Sequence, residues 1–345
     1  MSLPDLDSQD IAGATLALPE QLERAAELAW EVEGLPEPGS IGSVVVLGMG
    51  GSGVAGEILQ AVGGPRLPVP VVLVGEYRLP EFVKSDTLVF AVSFSGETEE
   101  TLEAATEAAR RGARLVAVTT GGRLALLARD HGAPVFSIEG DIPQPRAGIA
   151  ATTAPLLVAC ERLGLLDGVR AEIECAVSQL RLRRDEHSAG GGVAADLARR
   201  LDRTIPLVQG ASGIGAVAAR RWKTQVNENA KSPAFAASQP EWCHNEICGF
   251  GQGGDITRQV ATIVMLRSDH EHPRVVPRFE IGSELVSEAV AAVVEVRASG
   301  DGPLAQLFDL VIVGDFVSLH MAARADVDPG PVPVLVEMKE RLAAM

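Results

Sequence analysis

Short, wholly apolar runs alternate with longer segments of helical spacing along the first half of the chain. The apolar runs predict buried strands, and the intervening segments place apolar residues three or four positions apart, which is typical of helices. The predicted strands are Ser43–Leu47, Val69–Val74, Thr87–Ser93, Leu115–Thr119 and Val135–Ile138, and the predicted helices are Val54–Val62, Thr98–Gly112 and Leu124–His131. Apolar strands that alternate with helices indicate a parallel sheet covered on both faces.

The same plan recurs in the second half of the chain. The strand Ile205–Gln209 runs into a glycine-rich turn, as Ser43–Leu47 does, and a helix through Val226 follows. We interpret this as an internal duplication of one α/β unit. The other predicted elements are long helices over 151–200 with a glycine break at 190–192, the strands Ile263–Arg267 and Val293–Val296, and the helices Leu304–Leu310, Phe316–Arg324 and Val334–Ala344. The predicted domains are 1–153, with a helical preamble, and 154–345, with linker helices.

Composition limits the classes of partner. The 345 residues include 30 basic and 46 acidic side chains, a formal net charge of −16. Nucleic acids and anionic membranes bind basic surfaces, so we expect neither as a partner. The four cysteines form no CxxC pair, and we find no signal-peptide pattern and no run of about 18 apolar residues. We therefore expect reduced thiols and a cytoplasmic protein.

The first glycine-rich turn supports two interpretations. The sequence GMGGSG at Gly48–Gly53 matches GxGxxG between a strand and a helix, and Glu76 closes the next strand, which together imitate a dinucleotide-binding fingerprint. The mechanism is more general, because glycines let backbone N–H groups approach any anion at a helix N-terminus. A tight strand-to-helix turn without a ligand is the alternative to both.

A second turn favours a phosphate monoester over a dinucleotide. The sequence SFSGET places Ser93, Ser95 and Thr98 within six residues where the third strand ends. One of these hydroxyls could cap the helix that follows. Three hydroxyls and Gly96 exceed what one cap requires. Two anion-binding turns at neighbouring strand ends suit a single terminal phosphate.

These two turns resemble the sugar isomerase (SIS) domain family. The resemblance extends over nearly the whole chain to the bifunctional phosphoglucose/phosphomannose isomerases. The motifs that carry it are QPR at 144–146, NENAKSP at 227–233, PEWCHNE at 240–246, DP at 328–329 and MK at 338–339. It implies an α/β fold of two SIS-type domains, each flavodoxin-like with three αβα layers and a parallel sheet.

The resemblance also implies the substrate site. The substrate would be a hexose 6-phosphate, and no cofactor or metal would be needed. The implied phosphate-binding residues are Gly51, Ser52, Ser93, Ser95 and Thr98. His270 and His272 form an HxH pair, which we interpret as a solvated loop because no third ligand is evident.

Four residues would carry the chemistry that the resemblance implies. Glu228 would be the base that moves the proton between C1 and C2, since a shielded carboxylate can both take and return it. Arg146 would lie over the reacting carbons and stabilise the enediolate charge. His244 would open the sugar ring from the partner subunit of a homodimer, and Lys339 would assist or hold a sugar hydroxyl.

One departure concerns the choice of sugar. The family carries a small polar residue shortly before the terminal lysine, which makes room for both C2 epimers, whereas this chain has GPVPV at 330–334. The sequence therefore gives less support to activity on mannose 6-phosphate than to activity on glucose 6-phosphate. A non-catalytic sugar-phosphate sensor and an NAD-dependent oxidoreductase are the alternative functions. Glu228, Arg146 and His244 together favour the enzyme, because a sensor needs no proton-transfer groups.

Overall fold

The computed structural model describes residues 3–37, 41–188 and 192–345. Within these ranges the strands are β1 (Ser43–Leu47), β2 (Val71–Val74), β3 (Thr87–Val92), β4 (Arg114–Thr119), β5 (Val135–Ser137), β6 (Ile205–Ala211), β7 (Phe235–Gln239), β8 (Ala261–Arg267) and β9 (Ala292–Arg297). The α-helices are α1 (Leu3–Leu6), α2 (Ile11–Leu16), α3 (Leu18–Glu31), α4 (Gly50–Ile58), α5 (Glu99–Arg110), α6 (Gly122–Asp130), α7 (Ile149–Arg162), α8 (Val169–Ser188), α9 (Val193–Leu201), α10 (Ile214–Asn229), α11 (Gly254–Val260), α12 (Val276–Val286), α13 (Pro303–Ala325) and α14 (Pro333–Ala343). A π-helical turn, Leu59–Gly63, continues α4, and short 3-10 helices span Pro145–Gly148, Glu241–His244, Glu246–Phe250 and Ser287–Ala289.

The first sheet has the strand order β2-β1-β3-β4-β5, and every pair in it is parallel. This is the order of a flavodoxin-like doubly wound sheet, in which ligands bind beyond the carboxyl ends of the strands where the order reverses. Here the reversal lies between β1 and β3, which are direct neighbours. The turns that follow these two strands therefore face the expected ligand position.

The second sheet repeats the arrangement with four parallel strands in the order β7-β6-β8-β9. Two parallel-sheet α/β domains confirm the predicted fold class. The predicted domain boundary at 153/154 falls inside α7, and it stays a prediction.

The long helices join the two sheets through a common core. α13 is 23 residues long and apolar enough to cross a membrane, but 94% of its most apolar window is buried inside the protein. It packs against α8, α9 and α10, so it is a central core helix. The sequence predicts two helices in this region, and the structure has one continuous helix instead.

The other differences from the prediction are local. α4 begins at Gly50, four residues before the predicted start, and β7 was not predicted. The predicted glycine break at 190–192 lies, except for Gly192, outside the described residues. The remaining predicted strands and helices are present, with ends that shift by a few residues.

A buried histidine lies near the end of α8. His187 is 3% exposed, packs against the ring of Phe316 with centroids 5.3 Å apart, and within the described ranges neither ring nitrogen has a hydrogen-bond partner. Burial lowers the pKa of His187, and the charge of Arg183 lowers it further. The folded chain therefore binds this proton less tightly than the unfolded chain, whose histidine has a pKa near 6.5. The contribution of His187 to the free energy of unfolding is therefore fully present above the pKa of the unfolded chain. It declines as the pH falls from there through the lowered pKa of the folded chain.

We predict that His187→Leu reduces the acid sensitivity of the fold. The melting temperature of the native chain should fall more steeply from about pH 7.5 to about pH 5 than that of the variant, since leucine has no proton to bind. Thermal unfolding followed by circular dichroism measures this. His131→Gln, at an exposed histidine, is the control and should keep the native slope. Equal slopes for native and His187→Leu proteins would contradict the prediction.

Candidate active site

Two turns meet at the carboxyl edge of the first sheet. The turn at Gly48–Gly53 follows β1, and the turn at 93–98 follows β3. They are joined directly, because the backbone N–H of Phe94 donates to the hydroxyl of Ser52 over 3.1 Å. Gly50 has φ +52°, a left-handed conformation that suits glycine. Gly50 and Gly51 lie in the first turn of α4, where N–H groups point out of the helix and attract anions.

The second turn is organised around the buried hydroxyl of Ser93. This side chain lies 2.9 Å from the hydroxyl of Thr98 and accepts the N–H groups of Gly96 and Thr98 at 3.1 and 3.5 Å. Ser95 is exposed and accepts only from the N–H of Glu97 among the described residues. The hydroxyl of Thr98, the N-cap of α5, makes no capping bond within the part of the chain described. The alternative that one of these hydroxyls caps the helix is therefore wrong.

Arg146 lies directly against the first turn. A Cβ atom added to Gly51 would stand 3.2 Å from the backbone of Arg146, tighter than an ordinary contact. Glycine at position 51 thus lets the turn and the Pro145–Gly148 helix approach each other. This contact connects the anion-binding turns to the residue that we expect over the reacting carbons.

The guanidinium of Arg146 is buried and held by neutral acceptors. Nε donates to Oδ1 of Asn229 over 2.8 Å, and Nη2 donates to the carbonyls of Pro329 and Gly330, each over 2.7 Å. Nη1 faces Oε2 of Glu228 at 3.4 Å, a long contact. Among the described residues, short bonds thus fix three of the five N–H donors of the guanidinium, and Nη1, whose bond to Glu228 is long, has a second N–H for another acceptor. Burial lowers the pKa of Arg146, while Glu228 opposes the shift.

Glu228 forms an ion pair with Arg146. Its side chain is 30% exposed, so one part meets Arg146 and the rest is open to a ligand. It lies at the last turn of α10, one residue before Asn229, whose side chain is wholly buried. The carboxylate of Glu228 and Nη1 of Arg146 are therefore neighbours, although the two residues lie 82 positions apart along the chain.

Sequence reasoning overlooked Lys231 as a part of this site. Its backbone has φ +53°, which is uncommon outside glycine, and its Nζ donates to the carbonyls of Glu228 and Pro329. Burial lowers the pKa of Lys231, and the charge of Arg146 contributes to the shift. Lys231 thus ties the end of α10 to the segment at 328–330. The motif NENAKSP by itself does not indicate that the backbone of Lys231 is left-handed.

The other two predicted catalytic residues lie apart from this group in the single chain. His244 ends a short 3-10 helix after β7 and is exposed, and Lys339 lies on α14, where every described side chain is exposed. Among the described residues, no hydrogen bond or ion pair joins either of them to Arg146 or Glu228. In the same loop, Glu241 accepts from the side-chain amide of Asn245 over 2.7 Å. The roles of His244 and Lys339 stay predictions.

The chain offers few groups for a metal ion. Within the described residues no three His, Cys, Asp or Glu side chains are grouped as a metal site. His272 accepts the N–H of Arg274 over 3.1 Å, as part of a local turn. The four cysteines are free, and burial raises the pKa of Cys160 to about 12.

Similarity to characterised protein domains defines the class. The SIS domain model matches residues 40–131, and the model of the bacterial phospho-glucose isomerase C-terminal SIS domain matches residues 192–342. The fold is also that of the C-terminal domain of glucosamine-fructose-6-phosphate aminotransferase from Francisella tularensis, with a TM-score of 0.69, 14% identity, and coverage of 96% of this chain and 100% of that one. This chain is a two-domain SIS protein.

Full-length relatives then define the family. The bifunctional phosphoglucose/phosphomannose isomerase of Caldicellulosiruptor bescii is 36% identical over 330 residues, which cover 94% of this chain and 97% of the relative. The protein of the same name from Thermoplasma acidophilum is 32% identical and covers 88% and 91%. The chain belongs to the bifunctional phosphoglucose/phosphomannose isomerase family, whose named members are aldose–ketose isomerases. The resemblance seen in the sequence is thereby confirmed.

We predict that Ser93→Ala destabilises the protein. The substitution removes the hydroxyl that pairs with the Thr98 hydroxyl and accepts the N–H of Thr98, while the N–H of Gly96 keeps the carbonyl of Ser93 as an acceptor. We expect a loss of about 1 kcal/mol in the free energy of unfolding. Urea denaturation measures it. Ser95→Ala, at the exposed hydroxyl of the same turn, should change this free energy by less than about 0.5 kcal/mol. Similar losses in both variants would show that the buried hydroxyl does not organise the turn.

Proposed function

We propose that this protein interconverts fructose 6-phosphate with glucose 6-phosphate and mannose 6-phosphate by proton transfer through a cis-enediolate. The observation that carries the proposal is the pairing of Glu228 with Nη1 of Arg146, beside the two turns that follow β1 and β3. Family membership supports the same reaction. In the cytoplasm, such an isomerase would serve glycolysis and gluconeogenesis.

The turns after β1 and β3 hold the phosphate in this proposal. N–H groups at the start of α4 and the hydroxyls of Ser52 and Ser95 would supply donors, while Ser93 and Thr98 keep the second turn in shape. A phosphate at this edge also gains from the positive end of each helix. The phosphate thereby becomes the fixed end of the substrate, and C1 and C2 extend toward Arg146.

Proton transfer then needs one carboxylate and one cation. Glu228 takes the C2 proton of the open-chain aldose as the C1 carbonyl gains electron density, and the enediolate oxygen takes the negative charge. Nη1 of Arg146 is the donor with capacity left for that oxygen. Glu228 returns the proton to C1 to give the ketose, and the reverse sequence gives either aldose. In the same sequence the hydroxyl proton on O2 passes to O1 within the cis-enediolate, so that C2 becomes the carbonyl of the ketose and C1 carries the hydroxyl.

Ring opening is assigned to His244 and Lys339, with His244 reaching the site from the partner of a homodimer. Support comes from exposure, because both side chains lie on the surface of the single chain and could meet a second copy. Apolar side chains on α14 are exposed as well, including Leu335 at 44% and Met338 at 58%, as is usual where a second chain covers a helix. In this arrangement each site would combine residues of two chains.

We predict that Glu228→Gln abolishes isomerisation while substrate still binds. Glutamine keeps the shape but cannot take a proton, so kcat should fall by a factor of at least about 10³ with KM changed far less. Coupled assays from fructose 6-phosphate measure glucose 6-phosphate and mannose 6-phosphate separately. Deuterium uptake at C2 in heavy water reports the proton step directly.

Glu33→Gln, at an exposed glutamate far along the chain, is the matched control and should keep full activity. Native-like turnover in Glu228→Gln would remove Glu228 as the base. A native protein without turnover on any of the three sugars would refute the proposed reaction. Glucose 6-phosphate formation without mannose 6-phosphate would narrow the function to the glucose reaction.

We predict that two inactive variants restore activity when they share a dimer. If His244 acts across the interface, a heterodimer of Glu228→Gln and His244→Ala chains contains one site with both native residues. A freely exchanged equal mixture should therefore recover about a quarter of native activity. The assay compares each variant alone with the co-refolded mixture. Mass spectrometry shows whether the heterodimer has formed. If it has formed and the mixture recovers no activity, His244 and Glu228 of one site lie on the same chain.

A further inference from the structure

A chain of buried polar side chains continues from Arg146 into the second domain. Oδ1 of Asn229 accepts from Nε of Arg146, and Nδ2 of Asn229 donates to the hydroxyl of Ser318 on α13 over 2.9 Å. The Ser318 hydroxyl donates in turn to the carbonyl of Asp315 over 2.7 Å. All of these side chains are at most 3% exposed. Three segments of the chain thus meet behind the guanidinium.

The direction of each hydrogen bond follows from chemistry. Nε of an arginine can only donate, so the atom of Asn229 that faces it must be the amide oxygen. Ser318 uses its proton on the Asp315 carbonyl, so it must accept from the amide nitrogen of Asn229. Only an amide provides an acceptor on one side and a donor on the other at this place. The network therefore fixes one orientation for the Asn229 side chain.

The far end of the network is anchored by a buried ion pair. The guanidinium of Arg221 binds both carboxylate oxygens of Asp315 at 3.0 and 2.8 Å, and both side chains are at most 3% exposed. This pair fixes the turn of α13 that carries Ser318 against α10. A bidentate buried pair has little freedom to rotate. The position of Asn229 is thus set by two packed helices rather than by Arg146.

We propose that Asn229 is a positioning residue for the isomerase reaction, which orients the Arg146 guanidinium so that Nη1 faces Glu228 and the reacting oxygen, with Ser318 holding the amide in place. This inference rests on the proposed function. Without the Nε bond, the two bonds of Nη2 to the carbonyls of Pro329 and Gly330 are left to resist rotation about the Cδ–Nε bond, and the guanidinium plane can tilt. Nη1 would then leave the place where the enediolate charge develops.

The expected effect is on kcat rather than on KM. A displaced catalytic group can lower the rate by about 10²-fold, so we expect a loss of this order for Asn229→Ala and a smaller loss, about 3- to 10-fold, for Ser318→Ala. The KM for fructose 6-phosphate should stay within about threefold, because the phosphate-binding turns are not altered. Asn229→Asp keeps an acceptor for Nε and should recover most of the kcat lost in Asn229→Ala.

A double-mutant cycle separates positioning from a general loss of stability. If Ser318 acts through Asn229, its substitution should lower kcat in the native background and have no effect in the Asn229→Ala background. Asn227→Ala is the matched control, since among the residues that the structure describes its amide bonds only the carbonyl of Ser232 at the same helix end. It should keep kcat within about twofold of native. Thermal unfolding of each variant establishes that the assayed protein is folded.

The outcomes are distinct. Native turnover with an unchanged kcat in folded Asn229→Ala would overturn the inference and leave the proposed function intact. Equal kcat losses in Asn227→Ala and Asn229→Ala would also overturn it, because the effect would then belong to the helix end. Absence of turnover in the native protein would refute the proposed function itself. If Asn229→Ala does not fold, kcat is measured in Ser318→Ala and Asn229→Asp instead. A native kcat in Ser318→Ala would then contradict the inference.

Discussion

The charge of Arg146 lies inside the protein, and the site depends on how that charge is held. A buried cation is costly unless its donors are satisfied, and loss of its partners typically costs about 3–5 kcal/mol. The acceptors come from Asn229 and from the backbone of Pro329 and Gly330, which lie 83, 183 and 184 positions away along the chain. The first domain, the end of α10 and the segment before α14 are therefore brought together by one side chain.

The parallel sheets could be predicted because strands buried on both faces must be apolar along their whole length, as in SVVVL at 43–47. β7 could not, because FAASQ lies at a sheet edge, is mostly half-buried or exposed, and has no apolar run. The early start of α4 was equally hidden. Glycines disfavour helix, yet Gly51 and Gly53 lie in the first turn of α4, where Gly51 passes close to the backbone of Arg146.

The site was predictable only as far as side-chain chemistry is written in the sequence. Hydroxyls after a buried strand indicate an anion, and family resemblance singles out Arg146 and Glu228. The carbonyls that hold Nη2 leave no such mark, because every residue has a carbonyl and only the fold decides which ones face inward. Asn229 lies inside a noticeable motif, yet its amide could equally have faced solvent. The amide is buried and hydrogen-bonded because α13 packs alongside α10.

The groups assigned to the two halves of the reaction differ in how firmly the single chain holds them. Proton transfer between neighbouring carbons requires a base and a cation placed to within a fraction of an ångström, and Arg146 is accordingly locked in a buried network. Ring opening, which we assign to His244 and Lys339, removes the C1 hydroxyl proton and protonates the ring oxygen, and we expect it to tolerate a less exact placement. His244 and Lys339 occupy exposed segments that suit this less demanding task. The physical division of the fold into a rigid interior and open surface elements thus parallels the division of the chemistry.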